Sequence, residues 1–199
     1  MHVGVLSDRY PPHNASGAGR IAASLAAVYR SRGHDVTVIT TTQEGTNTGW
    51  IERDGIRIRR IFARKHPRIR AYLGIYNPAT VGAVTSVLDT ESIDVVHAHN
   101  VHEFLSYHSL KLASERSIPV ILTYHDAMSI EYGKLTHFID YVSETGTERP
   151  TASVYEVPPI KQLKEKRFRY FPLRNALHRR YLQRHVDHAV AVSRELKRA

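Results

Sequence analysis

Not one of the 199 residues is a cysteine. A disulfide framework, a thiolate metal site and a cysteine nucleophile are all excluded, and a reducing compartment is permitted. Long hydrophobic runs are missing too. The longest uncharged stretch, 71–88, contains Gly74, Asn77, Pro78, Gly82 and several hydroxyls, which makes it too polar for a spanning helix. The N-terminus has neither a basic segment ahead of its first apolar run nor a cleavage-site pattern, so no signal peptide is expected. Acids are scarce. Asp plus Glu total 19 against 28 Lys plus Arg, a net charge of +9 that favours anionic partners such as phosphorylated ligands, anionic lipid or nucleic acid. The surplus is concentrated in two runs: 57–70 has no acid, and 161–184 has only Glu165. Each run reads equally as a solvated charged face or as an anion-binding one.

What remains is an ordinary globular composition, 42% hydrophobic, in a chain long enough for a real core. His2 to Ser7 is a short apolar run that predicts a buried strand, and 8–16, with Pro11, Pro12 and Asn14, reads as a loop leading to Gly17. From Gly19 to Arg32, Ile21, Leu25 and Val28 recur at helical spacing among alanines, and Gly33 stops the helix. Asp35 to Thr40 predicts a second strand. A strand–helix–strand unit in 40 residues implies a parallel sheet with helices on its faces. Asp54 and Gly55 signal a hairpin between strands at 50–53 and 56–61. Further helices are expected at 78–88, 103–116 and 172–186, the last with Leu173, Leu177 and Tyr181 on one face. Further strands are expected at 94–98, 119–124 and 188–192, with Ser193 capping a final helix. The stretch 128–159 shows no period and reads as a long functional or mobile loop. The expected architecture is an open, mostly parallel Rossmann-like α/β sheet with helices on both faces. Ligands in such sheets lie beyond the carboxyl ends of the strands.

The stretch from Ser16 to Ala22 opens the first helix with Gly17 and Gly19, and a glycine-opened helix N-terminus admits a phosphate. The spacing formally matches the dinucleotide fingerprint. However, about nine loop residues separate it from the strand, and the second strand ends in Thr40, Thr41 and Thr42 rather than an acid. An NAD(P)-binding oxidoreductase domain stays open as an alternative, and so does a pair of glycines that merely shapes a turn.

Several segments, in order, resemble the retaining glycosyltransferases of family 4, which have the two-lobed GT-B fold. They are Pro11 and Pro12; Ser16 and Gly17, where the family usually has two glycines; and Arg30 to Thr40. They continue with Asp94 to His99, Val120 to Asp126, and Asp187 to Leu196. The resemblance implies that residues 1–199 are the N-terminal, acceptor-binding domain of an enzyme whose donor-binding domain is absent from this chain. The activity implied is transfer of a sugar from a nucleotide-sugar to an acceptor hydroxyl with retention, and the fragment alone is expected to be inactive. Gly17 is then the residue beside the donor diphosphate, and His125 is the catalytic histidine at the cleft floor. Ser16, His97, His99 and Asp126 belong to the acceptor side of that cleft. No cofactor is required beyond the nucleotide-sugar co-substrate.

Thirteen histidines raise the possibility of a metal. His97, His99 and His102 with Glu103 offer a sparse ligand set without thiolates, and none is assigned. Arg64, Lys65, Arg68 and Arg70, followed by the uncharged stretch, suit a membrane interface or a phosphate-bearing acceptor. A cytoplasmic enzyme, peripheral on the membrane face and handling a lipid-linked acceptor in glycan biosynthesis, is the resulting expectation. A basic nucleic-acid module is the other alternative, but it lacks an aromatic RNP motif, a KH loop or a finger.

Overall fold

A computed structural model describes residues 1–12, 16–126, 128, 160, 163, 164, 167 and 173–198. The predicted loop 128–159 therefore lies, apart from Met128, outside the described residues. Strands β1 (His2–Ser7), β2 (Asp35–Thr42), β3 (Gly49–Arg53), β4 (Ile56–Phe62), β5 (Val95–Ala98), β6 (Val120–Tyr124) and β7 (His188–Ala191) form one sheet in the order β3-β4-β2-β1-β5-β6-β7. Every pairing is parallel except the β3–β4 hairpin. That hairpin turns on Asp54 and Gly55, both at positive φ (53° and 70°), as a two-residue turn matched to strand twist requires.

β1 is central, and its side chains alternate between two apolar layers. Val3 and Val5 face α1 (Gly17–Ser31), together with Val36, Val38, Ile56 and Ile58. Leu6 faces the opposite layer, built from α3 (Pro78–Thr90), α4 (His108–Ser114) and strand residues Ile39, Val96, Val120 and Leu122. Burying each of these aliphatic side chains contributes roughly 1.5–3 kcal/mol. The remaining helices are the short α2 (Arg70–Leu73), α5 (Arg174–His185) and α6 (Arg194–Arg198). The Ser193 hydroxyl accepts from the Leu196 N–H at 3.1 Å, so the final cap stands where the sequence puts it.

Three helix expectations are corrected. α1 packs through Ala18, Gly19, Ala22 and Ala26, while Ile21 and Val28 are exposed (48% and 44%). The alanine face lets the helix sit closer to the sheet than a leucine face would. α5 buries Arg174 and His178 and leaves Leu173 exposed. The helix expected from Glu103 begins only at His108, because the backbone before it is held by a carboxylate from another loop.

β1 runs through α1 to β2 on one side, whereas the chain leaving β4 crosses by α3 to β5 on the other. The point where the winding reverses lies between β1 and β5. In open α/β sheets the ligand crevice forms beyond the carboxyl ends at that reversal.

Candidate functional site

Residues following β1, β5 and β6 converge at this reversal. Asp8, immediately after β1, is 3% exposed, and its carboxylate accepts three backbone N–H groups. Glu103 donates to Oδ2 at 2.7 Å, and Phe104 and Leu105 donate to Oδ1 at 3.0 and 2.7 Å. Burial pushes the Asp8 carboxyl up to about 7, against the pull of those three donors. Arg9 pairs with Glu103 at 3.0 Å, so the acid weighed as a metal ligand is engaged in an ion pair. The two loops are thereby clasped, and residues 103–107 stay non-helical, with Ser106 at φ 71°.

The helix opening is just as defined. Ser16 is the N-cap of α1, its hydroxyl accepting from the Gly19 N–H at 3.0 Å. A Cβ at Gly19 would overlap the Arg9 carbonyl group, whose carbon lies 2.9 Å away. A Cβ at Gly17 would meet none of the described residues within 4 Å. Gly19 is thus the glycine that packing needs, and Gly17 opens onto free space at the helix N-terminus.

A ladder of imidazoles joins β5 to β6 and touches α1 at Tyr29, near the helix's far end. His97 bonds the Tyr29 hydroxyl through Nδ1 and the Thr123 hydroxyl through Nε2, each at 2.8 Å. His99 stacks on it with ring centroids 4.4 Å apart. Its Nδ1 lies 2.9 Å from His125 Nε2, which joins the β5 end to the β6 end. His99 is fully buried, and its Nε2 has no hydrogen-bond partner among the described residues. Burial first, and the neighbouring imidazoles second, depress His97 to about 4 and His99 to about 3. His125 is also lowered by burial, opposed by the Asp126 charge. All three are neutral at pH 7.

Asp126 accepts from the Asn100 amide at 2.9 Å and from the Met128 N–H at 3.0 Å. Its Oδ2 is 3.7 Å from His102 Nε2. The structure therefore brings His97, His99, His125 and Asp126 to the carboxyl ends of β5 and β6. His97 and His99 are enclosed within the wall, while His125 and Asp126 reach the surface. Among the described residues no group of three or more His, Asp or Glu has metal-binding geometry.

The basic run divides. Arg64, Lys65 and Arg68 are exposed, whereas Arg70 is half-buried at the start of α2 with its Nε enclosed. Phe62, Ile69, Tyr72 and Tyr76 are exposed along the same segment, and the Arg64 guanidinium lies 5.7 Å from the Phe62 ring centre. The roles of Asp8, Tyr29, Asn100 and Thr123 escaped the sequence reading. Only Asp8 carried a signal, as a carboxylate directly beyond a central strand.

A doubly wound, mostly parallel sheet, with a glycine-opened helix and polar side chains gathered at its reversal point, defines an α/β domain of Rossmann type. The model of Glycosyltransferase Family 4 matches residues 15–199, and the chain belongs to that family. No curated protein matches it. Among solved structures it is similar to an E. coli structure described as trehalose-6-phosphate bound with UDP-2-fluoro glucose. That match has 11% identity and a TM-score of 0.50, and covers 99% of this chain and 41% of the other. It is also similar to Acinetobacter baumannii MurG, with 16% identity and a TM-score of 0.41, covering 63% of this chain and 35% of the other. The chain thus spans less than half the length of the structures it matches.

Proposed function

We propose that this chain is the acceptor-side half of a glycosyltransferase that moves a sugar from a nucleotide-sugar to an acceptor hydroxyl with retention. In this reading a second domain grips the donor, and the diphosphate is received at the N-terminus of α1. The observation that carries it is the space at Gly17, where an added Cβ meets none of the described residues within 4 Å. Packing among the described residues does not call for glycine there, since an alanine would meet none of them. The free N–H groups and dipole of a 15-residue helix favour an anion at that position. Leaving-group charge is stabilised by such donors and by cations, with no metal required. His125 is the polar group offered to the reacting sugars, Asp126 follows it at the end of β6, and Ser16 caps the helix that receives the diphosphate.

Gly17→Val in the complete enzyme is expected to abolish transfer while leaving the melting temperature near wild type. Wild-type turnover by that variant would reduce Gly17 to a turn residue. The 199-residue chain by itself is expected to turn over no nucleotide-sugar.

A lipid-linked acceptor at the cytoplasmic membrane face is favoured by one further observation, the interleaving of exposed cations with exposed aromatics from Phe62 to Tyr76. Each Lys or Arg near anionic lipid contributes about 1 kcal/mol. Sedimentation with anionic liposomes should show salt-sensitive binding that is lost when Arg64, Lys65 and Arg68 are all changed to alanine. Equal binding to neutral vesicles would reject the membrane reading.

A further inference from the structure

The His99–His125 pair contains more information than a shared hydrogen bond. One of the facing nitrogens, His99 Nδ1 or His125 Nε2, must carry the proton, because their 2.9 Å separation is a hydrogen bond. If His125 Nε2 donates, a neutral His99 has to carry its own proton on Nε2. That atom is sealed from solvent and has no acceptor among the described residues. Buried N–H groups without an acceptor are rarer in folded proteins than under-satisfied acceptors, which favours the arrangement that leaves a lone pair at this atom. If His99 Nδ1 donates instead, its Nε2 is left as that bare lone pair, and His125 Nε2 becomes an acceptor. The only proton site left on a neutral His125 is then Nδ1.

His125 Nδ1 is the half of the ring not committed to the protein. It has no hydrogen bond among the described residues and is not among the sealed polar atoms, so it reaches the surface beyond β6. The groups facing the pair leave this arrangement intact. On the β5 side, His97 stacks on His99, and its own nitrogens are held by Tyr29 from α1 and Thr123 from β6. Asp126, the next residue, is turned to Asn100 and Met128.

We infer that His99 is a positioning residue that fixes His125 as the neutral Nδ1–H tautomer, so that His125 presents a hydrogen-bond donor, not a base, to a bound sugar. The inference rests on the proposed reading of this end of the sheet as the sugar site, and it adds the ligand chemistry. The atom facing Nδ1 is an oxygen with a lone pair to give, such as a hydroxyl, ring or bridging oxygen, and His125 takes no proton from the acceptor hydroxyl.

The decisive measurement is a long-range proton–nitrogen correlation spectrum of the histidine-labelled 199-residue chain at pH 7, repeated on His99→Asn and His99→Leu. The wild-type spectrum should show His125 neutral and protonated on Nδ1, and His99 also protonated on Nδ1. Asparagine, whose amide can occupy the Nδ1 position, should preserve the His125 state. Leucine should release His125 toward the Nε2–H form and raise its pKa. A wild-type His125 protonated on Nε2 overturns the inference outright, whether or not either variant folds. So does an unchanged His125 in a folded leucine variant. In the complete enzyme, loss of turnover in His99→Leu with recovery in His99→Asn, at an unchanged melting temperature, is the expected kinetic counterpart. Because the spectra need no substrate, a correct tautomer in this chain alongside a complete enzyme that turns over no nucleotide-sugar would sink the functional reading and leave the positioning role standing.

Discussion

Gly17 and Gly19 stand two positions apart at the opening of α1 and face opposite demands. At Gly19 an added methyl group collides with the Arg9 backbone, which cannot move without disturbing the loop that Asp8 anchors. Gly19→Ala should therefore cost about 2–4 kcal/mol, the range of an overpacked backbone contact. Gly17→Ala should be neutral or stabilise by about 0.5–1 kcal/mol, because alanine restricts the unfolded chain and meets none of the described residues in the folded one. Urea denaturation of both variants checks the pair. Equal losses would contradict the packing described here. The sequence shows both glycines in a loop before a helix but does not tell them apart. What separates them is the position of Arg9, a residue on the far side of the loop. The same holds for the histidines. Their placement after strands was legible, yet which of them lie inside the wall depends on Tyr29 and Thr123, contributed by other elements.

Among the elements, periodicity located helices and strands well and misjudged the faces they bury. α1 was read from Ile21, Leu25 and Val28, but it turns its alanines inward, because a small face can approach the pleated sheet closely and bury more backbone. α5 likewise encloses Arg174 and His178 instead of Leu173, with His178 packed edge-on against Tyr107 at 3.6 Å between ring centres. The segment 103–107 has a helical hydrophobic pattern and is nevertheless irregular, because Asp8 captures three of its N–H groups. Asp8→Asn tests that clasp. The amide offers one acceptor oxygen and sets an N–H against the backbone N–H groups, leaving at least one buried donor unpaired. A loss of about 2–4 kcal/mol is expected in thermal or chemical unfolding. Hydrogen exchange at the Glu103, Phe104 and Leu105 amides should rise with it. Protection left unchanged would show that the loop is held by something else.

For the molecule as a whole, the buried histidines set how stability responds to acid. His97, His99 and His102 are depressed mainly by burial, to about 4, 3 and 4, from the ordinary value of 6.5. The unfolded chain therefore takes up these protons first as pH falls. Their contribution is complete above about pH 6.5 and is lost progressively toward pH 4, at up to about 1.4 kcal/mol per pH unit for each histidine. Asp8 acts in the opposite direction. Its value, raised from 3.8 to about 7, means that its contribution is fully present below about pH 4 and is lost as pH rises from there to about 7, offsetting the slope of one histidine. Melting temperature measured from pH 5 to 8.5 should rise from pH 5, because three histidines outweigh one opposing carboxyl, and level off above about pH 7. A flat profile between pH 7 and 5 would mean that the histidines are not buried as neutral rings.

Local chemistry by itself determined the strand–helix order, the hairpin at Asp54 and Gly55, the Ser193 cap and the end of the sheet where ligands belong. Each of these depends on a few neighbouring residues and on backbone preferences that operate over a turn or a strand. Only the tertiary structure decided which glycine leaves room for a ligand, which helix face is covered, and how Asp8 holds a loop 95 residues away. The same is true of the histidine ladder joining β5 to β6. Those outcomes depend on which atoms from distant segments meet once β1 lies between β2 and β5. The hydrogen bonds and overlaps that settle them do not exist until the sheet has closed around them.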